Sequence, residues 1–301
     1  MLSLYGCDEV IRNLYKISQS ILGDRPTPDT DSLRRLWLES LSRYQPYLPV
    51  NRSEDLLITD GQIENGLIAA YSRNSNDAID DLDQQDIIGT ALPSEIEKSQ
   101  KLLLLKESLV QLLRCDEEVE TAFPLAIHSI FFRGTQDKAG KLRAFGGSSG
   151  GAIGVIWIGL LNEKVRKLDI VEIYIHELTH HLLFIDELCH PHFDYSELVK
   201  KDHWAYSAIL NKHRPLDKVV HSIVVATELV LARSRYAYLA TSDPLVHPKT
   251  SILLREVNNS CQSVFELPGL AKVIKPRTLQ LVERCASICR SLADQFESVA
   301  S

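Results

Sequence analysis

The stretch DIVEIYIHELTHHLLFIDE, residues 169–187, places three histidines in an otherwise apolar run. His176 and His180 are four apart. On an α-helix both imidazoles then leave the same face, where two nitrogens grip one divalent ion. Glu177 follows the first histidine. This is the H-E-x-x-H spacing, in which the histidines hold zinc and the glutamate acts as general base on a metal-bound water. A glutamate with nothing to pair with is costly in a plain core. The trio therefore predicts a metal centre rather than two core histidines. His181 points about 100° away from His180 and reads as a bystander at the surface or just outside the ligand set.

Working outward, the segments before the motif change character at residue 124. PLAIHSIFF, from 124, is β-branched and aromatic and predicts a strand. FGGSSGGAIGVIWIGL follows, from 145: a flexible glycine- and serine-rich loop leading into a second strand at AIGVIWIGL. Apolar periodicity predicts helices over 2–22, 31–44, 94–119, 169–186, 216–237, 249–264 and 276–297. The second starts at an aspartate cap, and the third pairs Ser94 with Glu97 at capping-box spacing. The fifth starts at Pro215, a residue suited to a helix start. Residues 187–214 read as a polar connection. The expected fold is α+β and mostly helical, with a zincin-like metal core, a small sheet and flanking helices. Its expected parts are a helical region 1–120, a metal core 121–240 and C-terminal helices 241–301.

A catalytic metal needs a third protein ligand. The helix after Pro215 offers His221 and Glu228, seven apart and so on one face, both interrupting an apolar run. Either completes a site. His221 gives a set of three histidines, and Glu228 gives the His-His-Glu set of many zinc peptidases. Cys189, His190 and His192 sit close together but lack a partner pair at metal spacing, and read as a solvated loop.

Bulk composition excludes several classes. The formal net charge of −7, with scattered cations, argues against a nucleic-acid surface. No apolar run reaches the ~20 residues of a membrane span. The N-terminus carries Asp8 and Glu9 and lacks the basic region of a signal peptide. Six cysteines at irregular spacing, with no CxxC, read as reduced thiols of a cytoplasmic protein. Cys285 and Cys289 read as two core residues on one helix face.

Three segments together resemble the HExxH-motif peptide-modifying enzymes of peptide natural-product gene clusters, some of which are 2-oxoglutarate-dependent peptide β-hydroxylases. They are GGSSGGAIGVIWIGL, VEIYIHELTHHLL and HRPLDKVVHSIVVATELVLAR. The match lies within residues 145–233, under a third of the chain. The resemblance implies His176, His180 and His221 as ligands of Fe(II), with 2-oxoglutarate as co-substrate. It implies a peptide as substrate, such as a ribosomally made precursor. An oxygenase of this type needs a cation for the distal carboxylate of the keto acid, where arginine is geometrically suited. Arg214 in the matching segment is the first choice and Arg143 the second. Ser148 and Ser149 are expected to offer hydroxyls to a carboxylate or peptide. The competing expectations are a zinc metallopeptidase with Glu177 as base, and a binding protein with a structural metal.

Overall fold

A computed structural model describes residues 6–22, 28–73, 95–133, 145–159, 164–236, 239 and 244–300. Among these the protein is mostly helical with a small sheet. The chain divides between Cys189 and His190 into two compact units.

The first unit opens with helix α1, Cys7–Leu22, and α2, Thr30–Tyr44. Asp29 caps α2 by accepting the Ser32 N–H at 2.9 Å. Helix α3 is Gly61–Arg73 and α4 is Glu95–Leu113, so Ser94 lies outside the described residues. The expected single helix 94–119 is broken. Asp116 accepts the N–H groups of Glu118 and Val119 and starts a new helix, α5, Glu117–Ala126. That cap also overturns the strand expected from residue 124. Val119, Ala122, Phe123 and Ala126 recur at helical spacing and are buried, so α5 runs through Pro124 and the strand waits until Ser129.

Strand β1 is Ser129–Phe132, β2 is Gly146–Gly147 and β3 is Val155–Ile158. The sheet order is β1-β3-β2. β1 runs parallel to β3, with Ser129 opposite Val155, and β2 runs antiparallel, with Gly147 opposite Trp157. β1 and β3 are buried throughout, the pattern of strands covered on both faces. Helix α6, Lys167–Cys189, packs against α1, α4, α5 and β2.

The second unit holds a short helix α7, Tyr195–Leu198, and a hairpin of β4, Trp204–Tyr206, and β5, His213–Pro215. Both lie in what reads from sequence as a plain polar connection. The hairpin turns at Asn211, whose φ of 52° is a conformation asparagine tolerates. Ser222 Oγ receives Ser207 Oγ at 3.0 Å and the Ile209 N–H at 2.9 Å, which ties the turn to the following helix. That helix, α8, is Leu216–Arg235, and it packs with α9, Thr250–Phe265, and α11, Pro276–Ala300. A one-turn helix α10, Leu270–Val273, lies between the last two. Cys261, Cys285 and Cys289 are buried thiols of this unit, and no cysteine forms a disulfide. Among the described residues no helix is long and apolar enough to cross a membrane.

Candidate metal centre

The motif helix is fixed at both ends. At its start, Asp169 reaches back to accept the Arg166 N–H at 3.0 Å and also binds the Arg166 guanidinium, so the buried carboxylate is paired. At its end, Lys16 of α1 donates to the Cys189 carbonyl at 3.0 Å, placing a cation at the helix C-terminus. Asn13 of α1 donates to Asp186 at 2.9 Å. On another side Tyr174 is buried edge-on against Phe123, and its hydroxyl donates to Leu105 O at 3.0 Å.

Two neighbouring stripes of α6 carry the chemistry. His176 and His180 form the first. Their Nε2 atoms face one another at 3.2 Å, and both residues are partly exposed. Two imidazole nitrogens at about 2.0–2.1 Å from one ion, about 90–110° apart, are separated by roughly 2.8–3.4 Å. The observed pair fits that bite. Donor atoms of His176, Glu177 and His180 all lie within 4.8 Å of one another. Glu177 Oε1 is 4.0 Å from His176 Nε2.

Ile173, Glu177 and His181 form the second stripe, which faces the sheet. A Cβ on Gly146 would come within 3.1 Å of Ile173 and 3.6 Å of Glu177 Oε1, so β2 lies directly against this stripe. Burial pushes the Glu177 carboxyl up to about 8, offset in part by the Ser148 hydroxyl beside it. Among the described residues neither Glu177 Oε2 nor Ser148 Oγ has a partner that meets full hydrogen-bond geometry, and both atoms are enclosed.

His181 is not at the surface, as its position after His180 predicts; it is fully buried. The Gly154 N–H donates to its Nδ1 at 3.1 Å, which leaves the proton on Nε2 to donate to Val155 O at 3.1 Å. The residue therefore locks α6 to the start of β3. His128 closes on the same glycine from β1's side. Its Nδ1 accepts the Asn51 N–H at 3.3 Å and lies 2.8 Å from Ser129 Oγ. Gly154 has φ of +84°, and a Cβ there would land 2.5 Å from the His128 ring, so only glycine serves. Burial lowers both histidines to about 3, which keeps them neutral.

The glycine- and serine-rich segment is anchored, contrary to its flexible appearance in the sequence. Gln45 donates to Gly150 O at 2.8 Å and accepts the Ile153 N–H at 3.0 Å, and Tyr47 donates to Gly151 O at 3.0 Å. Gly147 packs on Trp157, whose ring a Cβ would meet at 2.6 Å. Ser149 accepts the Gly151 N–H at 3.2 Å and so caps the short 3-10 turn Gly150–Ala152. Of the two serines, Ser148 is the one whose hydroxyl lies at Glu177. Sequence inspection misses Gln45, Tyr47, His128 and Gly154. Only the glycine inside the strand-like AIGVIWIGL signals a close approach.

His221, Glu228 and Arg214 belong to the second unit. Arg214 is buried in β5 and His221 is buried on α8. Burial, with Lys218, His192 and Arg214 nearby, drives His221 well below the usual histidine range. Glu228 is buried two turns further on, near Cys285, whose thiol burial and neighbouring thiols push up. The two candidate third ligands thus have different surroundings: basic groups around His221 and thiols near Glu228. His192, expected in a solvated loop, is buried instead. Arg143 lies outside the described residues. The chain matches no family model and no curated protein sequence.

Proposed function

We propose that the protein is a metal-dependent enzyme that modifies a peptide, built on a zincin-like core, and that its reaction is Fe(II)- and 2-oxoglutarate-dependent hydroxylation. The observation that carries the metal reading is the 3.2 Å separation of the His176 and His180 Nε2 atoms on a helix held at both ends. The choice of reaction rests on the sequence resemblance, in which His221 is the third ligand and Arg214 receives the keto acid's distal carboxylate. Bound Fe(II) supplies oxygen activation at positions left open by the protein. The chain's own part is to orient the two imidazoles through α6, to hold Glu177 in a water-poor recess, and to fix the Gly146–Ser149 segment against it.

A second reading has its own support. A buried glutamate oxygen without a partner, next to a histidine pair, suits a general base in a zinc peptidase. In that reading Glu228 is the alternative third ligand. A third reading, a binding protein with a structural metal, is the outcome if metal binds and no turnover follows.

Metal analysis of anaerobically purified protein separates these readings. Iron, with succinate formed from 2-oxoglutarate in proportion to peptide hydroxylated, supports the oxygenase. Zinc, with peptide cleavage abolished in Glu177→Gln, supports the peptidase and overturns the oxygenase. His221→Ala and Glu228→Ala compared for metal content identify the third ligand.

A further inference from the structure

We propose that a groove along helix α2 docks an acidic segment of the peptide ligand in extended form, with two carboxylates four residues apart received by Arg35 and Arg52. That the occupant is a peptide rests on the peptide-modifying reading; the groove itself calls on no metal.

Three observations carry it. The first is charge. The groove has a volume of about 520 Å³, and three guanidiniums, those of Arg34, Arg35 and Arg52, line it with one carboxylate, Glu39. Glu39 is already taken by Arg43. Asp29 lies near Arg35, and Asp31 and Glu54 lie near Arg34, yet among the described residues none of the three arginines has a carboxylate within ion-pair distance. Elsewhere in this unit Arg12, Lys98, Arg166 and Lys167 each have one. Such a gathering of guanidiniums, in a chain of net charge −7, suits an anion from outside. The second is spacing. Arg35 Nη2 donates to Ser32 Oγ at 2.9 Å in the first turn of α2, and Arg52 Nη2 to Ser42 Oγ at 3.3 Å in its last turn. These serines are ten positions apart, so roughly 15 Å of helix axis separates the two charges. One phosphate or one carboxylate cannot touch both. An extended chain rises about 3.3 Å per residue, so side chains at i and i+4 leave one face about 13 Å apart and reach both. The third is the lining between them. Leu36 and Leu38 line the groove between its charged ends, where an apolar residue at i+2 shares the face of the two acids. Arg34 is fixed in the wall, its Nε donating to Pro124 O at 2.9 Å and its Nη2 to Ser53 O at 3.0 Å.

The test follows fluorescein-labelled peptides by fluorescence anisotropy with the full chain at low salt. One peptide carries two glutamates four residues apart with a leucine midway, a second has glutamines in their place, and a third has the two glutamates adjacent. The first is expected to bind most tightly, with the others about tenfold weaker. Arg35→Gln and Arg52→Gln, at exposed side chains, are each expected to weaken it about tenfold with the melting temperature unchanged. Raised salt should weaken it in the parent protein. Arg255→Gln, the same charge change in the second unit, should alter it by less than about twofold, and Glu39→Gln should tighten it. Equal binding of the glutamate and glutamine peptides, indifference to glutamate spacing, or equal loss in Arg255→Gln overturns the docking. So does a single-stranded oligonucleotide that binds more tightly than the first peptide and is lost in the same two variants. Peptide hydroxylation with no preference for the acidic peptide removes the groove and leaves the metal reading standing. Spacing-dependent binding by a chain that takes up no metal keeps the groove and removes the enzyme reading.

Discussion

The first unit contains two histidine pairs with opposite fates. His176 and His180 lie on an open face, nitrogen to nitrogen. His128 and His181 are sealed in the core, neutral, and close on Gly154 from two sides. His180 and His181 are neighbours in sequence, yet one belongs to each pair. A histidine's role is set by what its ring nitrogens meet: another ring nitrogen across a bite, or the backbone of a packed strand.

The largest test of this contrast removes one member of the open pair. His176→Ala or His180→Ala is expected to lower metal affinity by more than the roughly 10–100-fold that loss of an outer-sphere partner costs. The melting temperature of the metal-free protein should hardly change, because these rings are partly exposed. Equilibrium dialysis with a competing chelator reads the first effect and thermal denaturation the second. A large stability loss with metal affinity unchanged would merge the two pairs into one structural class.

His181→Ala should do the reverse. It leaves the buried Gly154 N–H without its partner, removes a bond to Val155 O and opens a cavity in the core. The expected cost is about 3–5 kcal/mol in urea unfolding. The helix-borne bite of His176 and His180 should persist.

Acid supplies a third test. Both sealed histidines have folded values near 3, below the 6.5 of the unfolded chain. Their neutral forms fit the fold, so this stability is complete above about 6.5 and is lost as pH falls toward 3. Glu177 has the opposite slope. Its folded value near 8 exceeds the ordinary 4.5, so in metal-free protein its burial costs stability as pH rises from 4.5 to 8. Glu177→Gln should flatten that alkaline limb, and metal-free variant should be more stable than the parent at pH 8 by up to a few kcal/mol, on the order the linkage allows. If urea unfolding of the two proteins shows the same slope between pH 5 and 8, the recess around Glu177 is wetter than described.

The smallest effect is expected at Ser149. Ser149→Ala removes a cap from a short turn and should cost about 1 kcal/mol. Thermal denaturation reads this effect, and an unchanged melting temperature would show that the Gly151 N–H finds another partner.

The motif helix was legible because its signals are local. The i, i+4 spacing of His176 and His180, the apolar run and the Asp169 at its start all act within a few turns of one helix. Helices α2, α8, α9 and α11 are legible for the same reason. The break before α5 and the late start of β1 are harder, because one cap at Asp116 outweighs a β-branched run. The β4–β5 hairpin is harder still. Its strands have three residues each, too short for a periodicity to register.

The sequence by itself determined that a helix presents two histidines and a glutamate on adjacent stripes, since helical geometry fixes that spacing whatever surrounds it. Tertiary structure alone decided that His181 is a lock rather than a surface residue. It also decided that Ser148 and not Ser149 meets Glu177, and that the glycine-rich segment is anchored by Gln45 and Tyr47. These outcomes depend on partners more than twenty residues away along the chain, or on which hydroxyl the backbone consumes first. Burial and pairing of that kind are properties of the packed chain and leave no periodic trace in the sequence.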